Sequence, residues 1–220
     1  YSVGLFHKEF AVIGHWYEDQ LSEFTAYLAA RPSKLKNTIK RKSKKLDKEH
    51  DVECKFATNV TEFSSMFSEY QCVYEKSWKG EEASYAFIEQ ICLAALKDNK
   101  LRFANLYIDG KIAASQIWFI HNGVASIFKL AYDPAYRHYS VGSQLTSALC
   151  EQVLDRDKCH TIEFGCGDEQ YKRDWMTKYH NRYVIQLFNS KTILGNILIL
   201  KHIYLARVKQ AFNKLFRKDE

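Results

Sequence analysis

The sequence predicts an α/β fold in which a mixed, mostly antiparallel sheet is flanked by helices, with an N-terminal helical extension and a long C-terminal amphipathic helix. Three observations carry this. From Leu101 to Tyr132 the hydrophobic period is two, interrupted at Asp109-Gly110 and Asn122-Gly123, the strongest short hairpin signals a sequence can hold. On either side of this meander apolar residues recur at helical spacing. The stretch from the third meander strand through a helix to the next strand is long enough for a parallel crossover, which should be right-handed.

Taken in order, Glu9–His15 is short, apolar and bounded by Gly14, and reads as a strand. Asp19–Ala30 places Leu21, Phe24 and Leu28 on one helical face and is ended by Pro32; Ser33 is the expected N-cap of the next helix, through Glu49. Asp51–Thr58 reads as a strand, and Thr61–Trp78 (with Phe63, Phe67, Tyr70, Val73 and Tyr74) and Ser84–Lys97 as helices. The meander strands are Leu101–Asp109, Ile112–His121 and Val124–Tyr132. A helix Val141–Asp155, a strand Thr161–Phe164, a glycine-bearing loop, a short helix Glu169–Met176 and a strand Tyr183–Phe188 follow. The closing helix aligns Ile193, Ile197, Leu200, Tyr204, Val208, Phe212 and Leu215, a stripe expected to pack on its own domain. The expected organisation is an N-terminal strand and basic helical segment (1–50), a core (51–190) and the C-terminal helix (191–220).

With 220 residues, 46% of them hydrophobic and 26% charged, the chain can enclose one full α/β core. No apolar run approaches the ~20 residues needed to span a bilayer. The chain opens Tyr1-Ser2-Val3-Gly4 rather than on methionine, and a longer N-terminus is expected. The six cysteines are scattered, without zinc-ligand spacing, and are expected to be reduced thiols in a cytoplasmic protein, all but Cys166 buried as small hydrophobes. Cys166, between two glycines, lacks an obvious His–acid pair and is not expected to be a nucleophile. No metal site is expected. The net charge of +6 is unevenly placed: residues 34–48 hold eight Lys/Arg against Asp47, and residues 191–220 hold seven against two acids. Two basic arms therefore flank an acidic body.

The junction Asp133–Leu145 joins a strand to a helix. Small residues at Ser140, Gly142 and Ser143 let backbone N–H groups approach an anion, the helix start adds its positive dipole end, and Arg137 offers a charge-assisted contact. The pattern Arg-x-x-small-x-Gly-small resembles the pyrophosphate loop of GNAT acyltransferases, with Ser140 standing where that loop commonly has glycine. The stretch Phe128–Tyr136, the run Gly167-Asp168-Glu169-Gln170-Tyr171-Lys172-Arg173-Asp174-Trp175 and the lysine-rich Leu35–Leu46 helix extend the likeness. Together they resemble the cellulose- and exopolysaccharide-biosynthesis-type acetyltransferases, relatives of the Fem peptidyltransferases.

The resemblance implies a GNAT-like sheet and an N-acyltransferase with no tightly bound cofactor, using acetyl-CoA or acyl-CoA as co-substrate and an amine acceptor. Leu130, Tyr132, Arg137, Ser140, Val141, Gly142 and Ser143 would hold the donor. Asp168 and Tyr171 would move protons, with Asp168 as cap of the short helix, and Lys129, Gln116, Glu169, Lys172 and Trp175 would meet the acceptor. Lys172 could bind an acidic group on that acceptor, whereas Lys129 is equally readable as the partner of an acid on a neighbouring strand. Glu75 and Trp78 are weaker acceptor candidates. A Fem-like aminoacyl-tRNA donor and a non-enzymatic nucleic-acid-binding module are the alternatives. The basic arms would suit an anionic membrane surface, making the protein peripheral to the membrane's inner face, or an acyl carrier protein; helix 33–49 lacks the stacking aromatics that would favour nucleic acid.

Overall fold

The computed structural model describes residues 4–205, apart from the side chains of residues 10–12. Seven strands form one sheet in the order β2-β3-β4-β5-β6-β1-β7. These are β1 (Leu5–Glu18), β2 (Val52–Phe56), β3 (Leu101–Ile108), β4 (Lys111–His121), β5 (Val124–Tyr132), β6 (Thr161–Cys166) and β7 (Lys178–Asn189). The helices are α1 (Phe24–Ala29), α2 (Ser33–Glu49), α3 (Val60–Lys76), α4 (Tyr85–Lys97), α5 (Val141–Glu151), α6 (Gln170–Trp175) and α7 (Ile193–Ile199). The chain divides into two compact units: His15–His180, and the residues up to Gly14 with those from Asn181.

In the larger unit the meander forms as expected. Asp109 and Gly110 (φ 50° and 72°) and Asn122 and Gly123 (φ 49° and 73°) all take the left-handed backbone that tight hairpins require. β2 pairs antiparallel with β3 and β1 antiparallel with β6, while β5 and β6 pair in parallel through the α5 crossover. One sheet face packs on α1, α2 and α5, through Tyr27, Leu35, Ile39, Leu46, Leu145 and Leu149 against Leu106, Ile108 and Trp118. The other packs on α3 and α4, through Phe63, Phe67, Tyr70, Val73 and Ile88 against Leu101, Phe103 and Ile117. Helix α2 buries Leu35, Ile39 and Leu46, its three apolar stripe positions, and leaves its lysines toward solvent.

Several boundaries differ from the sequence reading. Helix α1 starts at Phe24 rather than Asp19, because Gln20 is left-handed and the Leu21 N–H donates to the His160 carbonyl (3.0 Å), taking that stretch out of the helix. Ser33 is the first helical residue and no side chain caps α2, whose cap position is Pro32. The cap of α3 is Asn59, accepting from Glu62 N–H (3.0 Å) while the Glu62 carboxylate accepts from Thr58 N–H (2.8 Å), a reciprocal capping pair. Helix α5 ends at Glu151 and passes into one π turn, Gln152–Arg156. Cys92, Cys150 and Cys159 are buried, but Cys54 and Cys72 are exposed, on β2 and on the outer side of α3.

A buried ion pair ties α1 to the end of α6. Arg31 donates to Glu18 (2.8 Å), to the Trp175 carbonyl (2.7 Å) and to the Tyr27 carbonyl (3.3 Å), and the Tyr27 hydroxyl donates to the same Trp175 carbonyl (2.8 Å). Charges this deeply buried persist only when their hydrogen-bonding capacity is met, as it is here.

In the smaller unit α7 runs into a π turn, Leu200–Tyr204, and its apolar contact is Ile199 and Ile203 on Phe188. The stripe expected to pack is the exposed one: Ile193, Ile197, Leu200 and Tyr204 face outward, because the Phe188 cluster selects a different helical face. Val208, Phe212 and Leu215 lie outside the described residues. Among the described residues no helix is long and apolar enough to cross a membrane.

Candidate active site

At the end of β5, Asp133 accepts from Ala135 N–H (2.9 Å) and starts a 3-10 turn, Pro134–Tyr139. Ser140 then takes a left-handed conformation (φ 57°, ψ 42°), which reverses the chain so that α5 begins at Val141. No side chain caps α5. Its first-turn N–H groups at Val141, Gly142 and Ser143 are therefore left for an external anion, with the helix dipole behind them.

This turn is locked onto β4 from below. Buried Gln116 donates to the Gly142 carbonyl (3.0 Å) and to Thr146 Oγ1 (2.8 Å), and its Oε1 accepts from the Trp118 indole N–H (2.9 Å). Gln116, expected at the acceptor, thus spends both amide protons on positioning the loop.

A β-bulge decides which side chains of β5 face the loop. Ile117 pairs with Lys129 and Trp118 with Ile127, so Phe128 is the extra residue. An extra residue switches side-chain parity along a strand. Ahead of the bulge Ala125 and Ile127 face the α5 side; beyond it Leu130 and Tyr132 do, and Lys129 turns to the α3–α4 side. There it forms an ion pair with Glu82 (2.5 Å), so its partner comes from the α3–α4 connection and not from a neighbouring strand. β5 and β6 pair at Val124–Thr161, Ala125–Ile162 and Ser126–Glu163, and beyond Ser126 the two strands part. The facing edge of β5 from Ile127 onward then presents unpaired backbone groups.

In this opening lies a cavity of about 500 Å³, within the range of small-molecule sites. Its wall brings together Leu130, Tyr132, Arg137, Ser140, Val141, Gly142 and Ser143, all the residues expected at the donor. Gln116, Glu169, Tyr171 and Trp175 join them, with Trp78, Lys79 and Thr146. Trp78 packs against Tyr132 with ring centres 4.6 Å apart and planes tilted by 43°, so the α3–α4 connection closes one side. Glu75 is exposed on α3 and is not part of the wall. Lys79 and Thr146 are the wall residues that sequence reasoning missed; an aromatic followed by a lysine in a short connection between helices is the only sequence signal of Lys79.

The loop Gly165–Glu169 contributes Glu169 to the wall. Gly165 and Gly167 have φ of 65° and 116°, open to glycine but strained for other residues. Lys172, expected at the acceptor, is buried: it donates to the Cys166 carbonyl (2.6 Å) and pairs with Glu169 (2.9 Å), which clamps the loop to α6. Neither Lys129 nor Lys172 lines the cavity, although Lys172 pairs with Glu169, which does. Asp168 does not cap α6, whose cap position is Glu169. Its exposed carboxylate accepts from Arg173 (2.6 Å) and from the Trp16 indole (3.1 Å), and those hydrogen bonds hold it below the ordinary carboxylate range. Asp168 is not among the cavity-lining residues, whereas Tyr171 is. Burial, then the Glu169 carboxylate, push the Tyr171 phenol well above its ordinary value, so it stays protonated at neutral pH.

Comparison with known proteins agrees with this architecture. No curated protein matches the sequence. Among solved structures, FemX superposes with a TM-score of 0.65 at 8% identity, over 86% of this chain and 67% of that one. A C-terminal DUF2156 domain from Agrobacterium fabrum gives 0.60 at 15%, over 89% and 67%. L-PGS from Bacillus licheniformis gives 0.57 at 14%, over 91% and 68%. At such identities the likeness is one of fold, and the chain spans about two thirds of the length of each structure. The model of the acetyltransferase (GNAT) domain matches residues 33–173, a segment that holds the sheet from β2 to β6, the loop before α5 and most of the cavity wall, and the chain belongs to that family.

Proposed function

We propose that this chain moves an acyl group from an acyl-CoA to a primary amine by direct attack in a ternary complex. The observation that carries this reading is that the uncapped start of α5, the parted edge of β5 and the protonated Tyr171 wall one cavity. In this reading the pyrophosphate rests on the N–H groups of Val141–Ser143 with Arg137 alongside, and the pantetheine arm runs along β5 past Leu130 and Tyr132. The amine nitrogen bonds to the thioester carbon, the C–S bond breaks, and the departing thiolate takes the Tyr171 proton. The proton shed by the nitrogen passes through water at Glu169 and restores the phenol. Asp168, held by Trp16 and Arg173, keeps the loop bearing Glu169 in place. The Gly167–Trp175 run further supports the cellulose- and exopolysaccharide-type branch, and an amino sugar, an amino acid or a related small amine would serve as acceptor.

A second reading draws on α2. Lys42 donates to the His138 carbonyl (2.5 Å), Lys45 lies over the Tyr139 ring, and Gln144 donates to the Ile39 carbonyl (3.1 Å), so the basic helix adjoins the donor loop. That placement favours a polyanionic donor such as aminoacyl-tRNA. The two donors are separated by one comparison. With acetyl-CoA and a panel of primary amines, amine-dependent release of the CoA thiol is expected. Transfer from aminoacyl-tRNA without thiol release would reverse the choice, with RNA affinity falling by about 0.7–0.9 log units per neutralised phosphate for each log unit of salt.

A further inference from the structure

Five charged groups gather where the α3–α4 connection meets the cavity: Lys79, Lys129, Lys172, Glu82 and Glu169. Two close pairs account for four of them, Lys129 with Glu82 and Lys172 with Glu169. The remaining cation is Lys79. Among the described residues its ammonium forms no ion pair, and its recorded neighbours are the faces of Tyr74 and Trp78, each with its ring centre 5.8 Å away. Among the described residues, Lys79 is also the only lysine in the cavity wall. Burial lowers its pKa most and Lys129 lowers it further, while Glu169 and Glu82 oppose the shift in part. A half-buried ammonium in the cavity wall, beside aromatic faces and with no carboxylate in ion-pair contact, is suited to receive an anion.

We propose that the acceptor amine carries an anionic group, a carboxylate or phosphate, which is seated on Lys79 against Trp78. This rests on the acyl-transfer reading above and names the acceptor class for the same cavity. The geometry is coherent: Trp78 packs on Tyr132 at the end of β5, so an anion held at Lys79 is placed on the side of the cavity formed by the α3–α4 connection. Lys172, spent on Glu169 and the Cys166 carbonyl, is not available for that role. Repulsion among Lys79, Lys129 and Lys172 is relieved when the anion arrives, and a neutral amine gains nothing from it.

The test uses matched pairs that differ in one charge: glycine with glycinamide, β-alanine with its amide, and glucosamine 6-phosphate with glucosamine. The first readout is thermal stabilisation of CoA-saturated protein, which needs no turnover; the second is KM in acetyl-CoA-dependent thiol release. The charged member of at least one pair is expected to stabilise the protein and to have a KM about 10- to 100-fold lower than its neutral partner, the range of a charge-assisted contact. Whether the carboxylates or the phosphate respond identifies the source of the anion. In Lys79→Gln the ratio should collapse toward one, and Lys79→Arg should restore it, which a purely structural role for the side chain would not produce. Equal behaviour of charged and neutral members in protein that binds CoA overturns this proposal alone. Absence of any response to CoA overturns the donor reading and this proposal with it.

Discussion

Gly142→Val is expected to abolish coenzyme A binding while leaving a folded protein. Gly142 is the second residue of α5, and its N–H is one of the uncapped donors beneath the proposed pyrophosphate. A Cβ there would meet the Tyr132 ring at 3.3 Å, so the ring must yield by a few tenths of an ångström. The anchoring bonds from Gln116 and Thr146 use the Gly142 carbonyl and survive the substitution. The overpacking should lower stability by about 1–3 kcal/mol. At a CoA concentration about 100 times Kd the wild type should gain ~2.7 kcal/mol of stability, read as a rise in Tm, and the variant none. A variant that responds to CoA like the wild type would remove the loop from the donor site.

Tyr171→Phe should lower kcat by about 10²- to 10⁴-fold, the contribution of a positioned general acid, with little change in CoA affinity. The pH profile gives a second reading of the same assignment. Burial and the neighbouring Glu169 carboxylate raise the folded-state pKa of Tyr171, so the phenol remains protonated past its ordinary value near 10. The wild-type rate should therefore rise with pH as the acceptor amine loses its proton, without a falling limb from Tyr171 below that value. A descending limb at lower pH, or full turnover in Tyr171→Phe, would assign the proton to another group. Asp168→Asn should act more weakly, by loosening the contacts to Trp16 and Arg173.

The contrast between Tyr171 and Asp168 shows what could be read from the chain. The turn into α5 was legible because its backbone demands are local: Ser140, Gly142 and Ser143 are small where the chain reverses and the helix begins, and the hairpins around Asp109-Gly110 and Asn122-Gly123 carry their own backbone demands. Asp168 and Tyr171 are three residues apart, yet the direction of each is set by partners distant in sequence. Trp16 on β1 holds the Asp168 carboxylate, while Tyr171 lies beside the Phe164 ring and lines the cavity with Trp175. Lys129 was ambiguous because the bulge at Phe128 arises from the register of β4 against β5 and has no marker within β5 itself. Lys79 was invisible for a related reason: its burial depends on Trp78 folding back onto Tyr132. In α7 the apolar residues encircle the helix, so periodicity alone could not choose between the face of Ile199 and Ile203 and the face of Ile193 and Ile197.

The central claim is that one cavity, bounded by the start of α5 and the parted edge of β5, receives the acyl-CoA donor. Amide hydrogen exchange with and without coenzyme A tests it most directly, because the proposed contacts are backbone N–H groups. Slowed exchange is expected at Val141–Ser143 and along residues 127–132 of β5, with the β2–β3 ladder unchanged. Protection confined to α2 or to other segments, or no protection at CoA concentrations that saturate GNAT enzymes, would contradict the account.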